Sequence, residues 1–293
     1  MEQALDLIHQ DSPESVERAL TLLQNTVYSF SMKVCGHPED AEDAMQEVLL
    51  KLLPYLPKFE NPQALSVWLY KVARNCCLMN RRGAKNARNR HVSLDELMPT
   101  ELDLEELLKS TGPNPEVNVL RDETRLRLRD AVLKVPPLYR MVVVLHDMEG
   151  LSTSEVARVI GVREGTVRVR LHRARLLLRQ YLMGMERAKG IGADRIHAAA
   201  EEGLTKRPRH CREMFAALSD YMDGLVGDER TREMAKHLND CKPCVAFLDS
   251  LKSAVQQCRI YEPTCDTGRA EELRRDLLQK YRAAVAALPS VRA

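Results

Sequence analysis

Late in the chain, four residues have the types and the spacing to hold a metal ion. His237, Cys241 and Cys244 form a His-x3-Cys-x2-Cys motif, and Cys211 lies one helical pattern earlier. Cys-x2-Cys places two thiolates on one turn, and a histidine just upstream brings an imidazole to the same spot. Soft thiolates with imidazole suit Zn best. His210 adjoins Cys211, so either can supply the fourth ligand. The chain has eight cysteines. Its N-terminus, MEQALDLIHQ, lacks the basic and apolar regions of a secretory leader, which predicts a cytoplasmic chain. In that compartment cysteines serve metal or redox chemistry more often than disulfides. Cys35, Cys76 and Cys77 read as ordinary buried residues.

A second stretch has the chemistry of nucleic-acid recognition. From Arg163 to Arg179 there are six arginines and one acid, Glu164. Val167, Leu171, Ala174 and Leu178 recur beneath them at helical spacing. Upstream, Ser152 and Glu155 form a capping-box pattern that opens a shorter helix, with Val156, Ala157 and Ile160 as its inward face. Gly161 then breaks the chain before Gly165-Thr166. Two short helices joined by a tight turn make a helix-turn-helix, whose second helix enters a DNA major groove. Arg168, His172 and Arg173 are expected to point away from the buried stripe, and guanidinium matches both guanine and phosphate geometry. A merely solvated face would carry glutamate interleaved with the arginines, and this one barely does.

A third stretch pairs cations with rings. From Lys71 to Arg90 there are seven basic residues and no acid, with Phe59, Trp68 and Tyr70 just upstream. Bases stack on rings and phosphates lie on cations, so this arrangement fits single-stranded nucleic acid. Trp68 by itself reads equally as a core residue.

The elements that must position these groups are helical. Period-2 alternation is almost absent and glycine and proline fall between helical patterns, so the fold class is all-α. Val16, Leu20, Leu23, Val27 and Phe30 form one stripe, and Gly36-His37-Pro38 a turn. The helix that follows is acidic early (Glu39, Asp40, Glu42, Asp43) and apolar later. First-turn acids suit the helix dipole, but Gln46 and Glu47 lie too far in for that and suit a partner surface. Residues 58–62 form a loop, and a helix is expected over 66–82. From Val92 to Glu123 nine acids stand against two basic residues, with Pro99, Gly112, Pro113 and Pro115 interspersed, which reads as a linker. A second linker follows Met183. An amphipathic helix is expected over 269–288, near Cys258 and Cys265. No window approaches a membrane span.

PEDAEDAMQEVLLKL, VWLYKVARN and LSTSEVARVIGVREGTVRVRLHRARLLL, in that order, resemble the sigma-70 family of bacterial transcription initiation factors, in its short extracytoplasmic-function form. The resemblance covers roughly residues 14 to 183. It implies that Asp40, Asp43, Gln46 and Glu47 dock on core RNA polymerase. It implies that Lys58, Phe59, Asn61, Trp68, Lys71, Arg74, Asn75, Arg81 and Arg82 melt the promoter −10 element and hold its single strand. It implies that Arg163, Glu164, Thr166, Arg168, His172 and Arg173 read the −35 duplex. The loop FENPQAL is shorter and less basic than in some relatives. No catalytic constellation is needed, because the polymerase does the chemistry.

Residues HCREMFAALSDYMDG and GDERTREMAKHLNDCKPC resemble the zinc-binding anti-sigma domain. That resemblance implies one Zn on Cys211, His237, Cys241 and Cys244, and a module that contacts the sigma domains within the same chain. The expected organisation is a polymerase and −10 domain at 14–90, an acidic linker at 91–122, a helix-turn-helix domain at 123–183, a linker at 184–208, a zinc domain at 209–258 and a tail at 259–293. The competing expectation is a helix-turn-helix regulator that binds duplex DNA without entering the polymerase. Such a regulator needs neither the acidic helix at 39–47 nor the basic run at 71–90.

Overall fold

The computed structural model describes residues 1–10, 12–80, 92–94, 97–99, 122–183 and 209–263, with isolated positions at 103, 108, 271, 272, 275, 276, 278, 279 and 283. Arg81, Arg82, Cys265, the linker at 184–208, most of the acidic linker and most of the expected tail helix lie outside the described residues. The regular elements among the described residues are helices, as the sequence predicts. None of them is long and apolar enough to cross a membrane.

The chain divides into two compact units. One comprises residues 1–87, 154–162 and 262–293; the other comprises 88–153 and 163–261. The first unit begins with α1 (Glu2–His9), which the sequence reading did not anticipate; Ala4, Leu5, Leu7 and Ile8 bury its inner face. Helix α2 (Pro13–Cys35) starts on Ser12, whose hydroxyl accepts the Ser15 N–H at 3.1 Å, and ends on Gly36 at φ +80°, a conformation that glycine adopts without strain. All five expected stripe residues, Val16, Leu20, Leu23, Val27 and Phe30, are buried. Against α2 pack α1, α3 (Pro38–Leu52) and α4 (Pro62–Asn80), and Phe30 meets Tyr70 of α4 edge-on at 5.0 Å between ring centres. A 3-10 turn, Leu53–Lys58, joins α3 to α4.

The second unit is built around one helix. Helix α5 (Asp122–Lys134) leads to α6 (Pro137–Val143), which widens into a π turn over Val144–Met148. Helix α7 (Thr153–Ile160) belongs to the first unit apart from Thr153. Gly161, at φ +72°, then turns the chain into α8 (Glu164–Leu182). Val156, Val159 and Ile160 of α7 are buried, and so are Val167, Leu171, Ala174 and Leu178 of α8. Around α8 stand α5, α6 and two of the three C-terminal helices, α9 (Arg209–Met222) and α11 (Lys242–Arg259); α10 (Asp228–Asp240) packs on α11. Val92, Leu97 and Met98, at the start of the acidic segment, are buried too, and the Val92 N–H donates to the Tyr139 hydroxyl of α6 at 3.0 Å.

Candidate functional site

The metal-ligand candidates converge. Cys211 lies in the first turn of α9, His237 in the last turn of α10, Cys241 at the junction between α10 and α11, and Cys244 in the first turn of α11. Backbone bonds fix the junction: the Cys241 N–H donates to the His237 carbonyl at 2.9 Å, and the Cys244 N–H to the Cys241 carbonyl at 3.1 Å. The four donor atoms lie within 4.8 Å of one another. His237 Nε2 is 3.3 Å from Cys244 Sγ and 3.8 Å from Cys211 Sγ. Ligands of a tetrahedral Zn, with bonds of about 2.0–2.3 Å, stand roughly 3.3–3.8 Å apart, so the residues present fit such an ion. Burial, then Cys241 and Cys211, push the Cys244 thiol up, which is the electrostatic strain a divalent cation relieves. Cys258, at the end of α11, is buried and stands outside this group. The side chain of His210 is outside the described residues.

On α3, Asp43 is exposed and Asp40, Gln46 and Glu47 are half-buried. Positions 43, 46, 47 and 50 share one helix face. Leu50, which the sequence reading passed over, extends this face as an exposed apolar residue. Glu47 accepts from Lys51 at 2.6 Å, and that bond holds its carboxyl below the usual range. Both side chains are about half exposed, at 50% and 43%, so the pair stabilises the helix by less than about 1 kcal/mol.

The aromatic candidates form a ladder in the same unit. Trp68 is half-buried on α4 and lies 5.7 Å from the ring of Tyr55 and 5.9 Å from that of Phe59. Lys58 stands over the Tyr55 ring at 5.2 Å. Lys71, one turn beyond Trp68, is exposed, as is Asn75; Arg74 is half-buried and reaches Asn75 Oδ1 at 3.4 Å. Tyr55 is 45% exposed and forms the open end of the ladder. It was missed from sequence, although aromatics flanking Lys58 at positions 55 and 59 were the available signal. Asn61 has a local duty: its Oδ1 accepts the Ala64 N–H at 2.7 Å and caps α4. That cap starts α4 at Pro62, four residues earlier than expected.

The third group is split by the fold. Arg163 is exposed ahead of α8, and Thr166, Arg168 and Arg173 are half-buried. Glu164 accepts from the Thr153 hydroxyl at 2.7 Å and from Arg168 at 3.1 Å. His172 departs from expectation. It is 7% exposed, and its Nδ1 lies 3.0 Å from the Ser219 hydroxyl of α9. Its outward orientation is therefore corrected: the C-terminal helices bring a packing partner that no local pattern announces. Burial, reinforced by the charges of Arg175 and Arg173, pulls its pKa down to about 4.

Arg175, three residues on, is fully buried. It donates to both oxygens of Asp147 at 2.9 and 2.6 Å and to both oxygens of Asp223 at 2.8 and 2.9 Å. Asp147 sits on the π turn. Burial alone would raise its pKa, but Arg175 and His146 hold the carboxyl below its usual range. Arg179 donates to Ser250 of α11 at 2.5 Å and lies over the Phe247 ring at 3.9 Å, and Phe247 in turn meets Phe215 of α9 at 4.3 Å. Thus the first half of α8 keeps accessible cations, and the second half spends its cations on protein.

Three family models match the chain: sigma-70 region 2 over residues 20–87, sigma-70 region 4 over 125–178, and a zinc-finger family over 211–244. The ECF RNA polymerase sigma factor SigE of Mycolicibacterium smegmatis is 33% identical over 158 residues, which are 53% of this chain and 57% of that protein. SigW of Bacillus subtilis is 27% identical over 161 residues, 55% of this chain and 85% of that protein. The ECF sigma-E factor of Escherichia coli is 31% identical over 136 residues, 46% of this chain and 70% of that protein.

Proposed function

We propose, from the premise that this chain belongs to the extracytoplasmic-function sigma factors of the sigma-70 family, that it directs core RNA polymerase to specific promoters and is regulated by its own C-terminal zinc-binding domain. Residues 14–90 engage the polymerase and the −10 element. Residues 123–183 engage the −35 element, and residues 209–258 hold the metal. On α3, Asp40, Asp43, Gln46 and Glu47 meet the polymerase, with Leu50 adding apolar area to that face. On α4 and the turn before it, Lys58, Phe59, Trp68, Lys71, Arg74 and Asn75 receive the melted strand. Arg163, Thr166, Arg168 and Arg173 meet the −35 duplex. The polymerase performs the chemistry and the chain supplies promoter choice, so it acts in the cytoplasm where the polymerase is.

Cys211, His237, Cys241 and Cys244 would hold one Zn, and the bound ion would supply cross-linking of three helices in a segment too small for a large core. The site sits where α9, α10 and α11 converge. The same α9 and α11 grip α8 further along their length, so metal binding and the grip on α8 are mechanically connected.

The observation that carries the reading is the Tyr55–Trp68–Phe59 ladder beside exposed Lys71. A regulator that only binds duplex DNA has no use for an open ring surface flanked by cations. Run-off transcription with core polymerase tests it. The full chain added to core polymerase should give promoter-specific transcripts. Duplex binding without any transcript would instead support the regulator that never enters the polymerase.

A further inference from the structure

Helix α1 lies ahead of residues 20–87, the stretch matched to sigma-70 region 2, and it is anchored at both its face and its end. Ala4, Leu5, Leu7 and Ile8 are buried, and α1 packs on α2 and on the 3-10 turn Leu53–Lys58. A short hydrogen-bond chain fixes its exit. The Ser15 hydroxyl donates to Gln10 Oε1 at 2.8 Å and lies 2.7 Å from the Ser12 hydroxyl, which caps α2.

At the C-terminal end of α1, exposed His9 reaches the loop that carries the ring ladder. His9 Nε2 lies 3.0 Å from the Phe59 carbonyl oxygen, a tie across 50 residues. A carbonyl only accepts, so Nε2 carries the hydrogen. Phe59 leaves the 3-10 turn with extended backbone, φ −85° and ψ +119°, and its own N–H returns to the Leu56 carbonyl at a long 3.5 Å. That conformation takes its carbonyl out of the turn's own bonding pattern, so the partner comes from elsewhere in the chain. Lys58 on one side stands over the Tyr55 ring, Asn61 on the other caps α4, and the Phe59 ring meets Trp68 at 5.9 Å. Holding this carbonyl therefore fixes the peptide plane after Phe59, and with it the approach of the ring to Trp68.

We propose that α1 braces the loop that receives the melted strand, with His9 as a positioning residue: by holding the Phe59 carbonyl it sets the Phe59 ring against Trp68 and the path of residues 58–61. This deepens the proposed function and rests on it. His9 acts through Phe59 and does not itself meet the bases. The bond is exposed, so water replaces it when it is lost, and its loss changes where the loop stands rather than whether the unit folds. The buried face of α1 keeps the helix in place without it.

The test uses the full chain. His9→Leu and His9→Glu both remove the donor, and the side-chain N–H of His9→Gln can reach the same carbonyl. Trp68 is the sole tryptophan, so quenching of its emission by acrylamide reports the ladder in the free chain. Permanganate reactivity of promoter −10 thymines, with core polymerase, reports strand capture. Both donor-less variants should raise the quenching of Trp68 and lower thymine reactivity roughly 3- to 10-fold, the factor that corresponds to one net hydrogen bond. Their circular dichroism and −35 duplex binding should match the parent, and His9→Gln should restore both readouts. Parent-like quenching and reactivity in the donor-less variants would overturn the brace. So would a loss that His9→Gln does not recover, because the ring's packing rather than its donor would then be responsible. If the parent opens no promoter, the sigma-factor reading fails, and Trp68 quenching across the three variants still decides whether His9 positions Phe59.

Discussion

Two helices of this protein carry basic residues, Lys71 and Arg74 on α4 and five arginines on α8, and the fold treats them in opposite ways. On α4, Lys71 and Asn75 face solvent beside a ladder of three rings, and half-buried Arg74 reaches Asn75 Oδ1. On α8, Arg175 and Arg179 are 0% and 2% exposed, and carboxylates, hydroxyls and the Phe247 ring surround them. A run of positive charge states that counter-ions are needed. Whether nucleic acid or the chain itself supplies them depends on residues far away in sequence. Ser219 is 47 residues from His172, and Ser250 is 71 from Arg179.

The contrast breaks most completely at the metal. Cys241→Ser with Cys244→Ser should release Zn and unfold α9, α10 and α11, because structural Zn in small domains contributes about 10–16 kcal/mol of apparent binding energy. Elemental analysis of purified protein and far-ultraviolet circular dichroism would record both losses, and α8 would then be exposed much as α4 is. Retained helix content after metal loss would show that apolar packing, with Phe215 on Phe247, holds the domain unaided.

A smaller effect is expected at Arg175. Arg175→Met leaves Asp147 buried without its guanidinium, and loss of one partner from a buried pair costs about 3–5 kcal/mol. The thermal midpoint should fall by several degrees. Arg175→Met with Asp147→Leu should recover much of the loss, because it removes the stranded charge. Without that recovery, the bonds to Asp223 and the packing of the side chain, rather than the stranded carboxylate, account for the destabilisation.

His172 gives the smallest and most selective effect. Its pKa is about 4 where α9 is docked, against about 6.5 for a free imidazole, so docking favours the neutral ring. The charges that act on it are those of Arg175 and Arg173 on α8, and the Ser219 hydroxyl of α9 lies against its Nδ1. The neutral ring's contribution is complete above pH 6.5 and is lost as pH falls toward 4, by at most about 3 kcal/mol. Melting curves between pH 7.5 and 4.5 should fall more steeply for the parent than for His172→Leu. Parallel curves would show that the ring is not held neutral by the fold.

Much of this was legible in the sequence, for local reasons. The α2 stripe and the α8 stripe are buried at every expected position, because helical periodicity records which face turns inward. The His-x3-Cys-x2-Cys spacing placed its three candidate ligands on one helix junction, and Cys211 joined them from α9. What escaped was non-local. The orientation of His172 follows from Ser219, and the burial of Arg175 follows from Asp147 and Asp223 together. Helix α1 escaped because its apolar residues span only two turns. Tyr55 escaped because a 3-10 turn, rather than the loop expected nearby, brings its ring to Trp68.

In the proposed function, the open face of α4 receives melted promoter DNA, while α8 serves duplex DNA and the chain itself. Permanganate reactivity of promoter thymines, measured with core polymerase on a promoter that supports run-off, distinguishes these two roles. The parent should make the −10 thymines reactive. Lys71→Glu with Arg74→Glu should abolish that reactivity while leaving binding of the −35 duplex unchanged. Undiminished reactivity in this variant would contradict the claim.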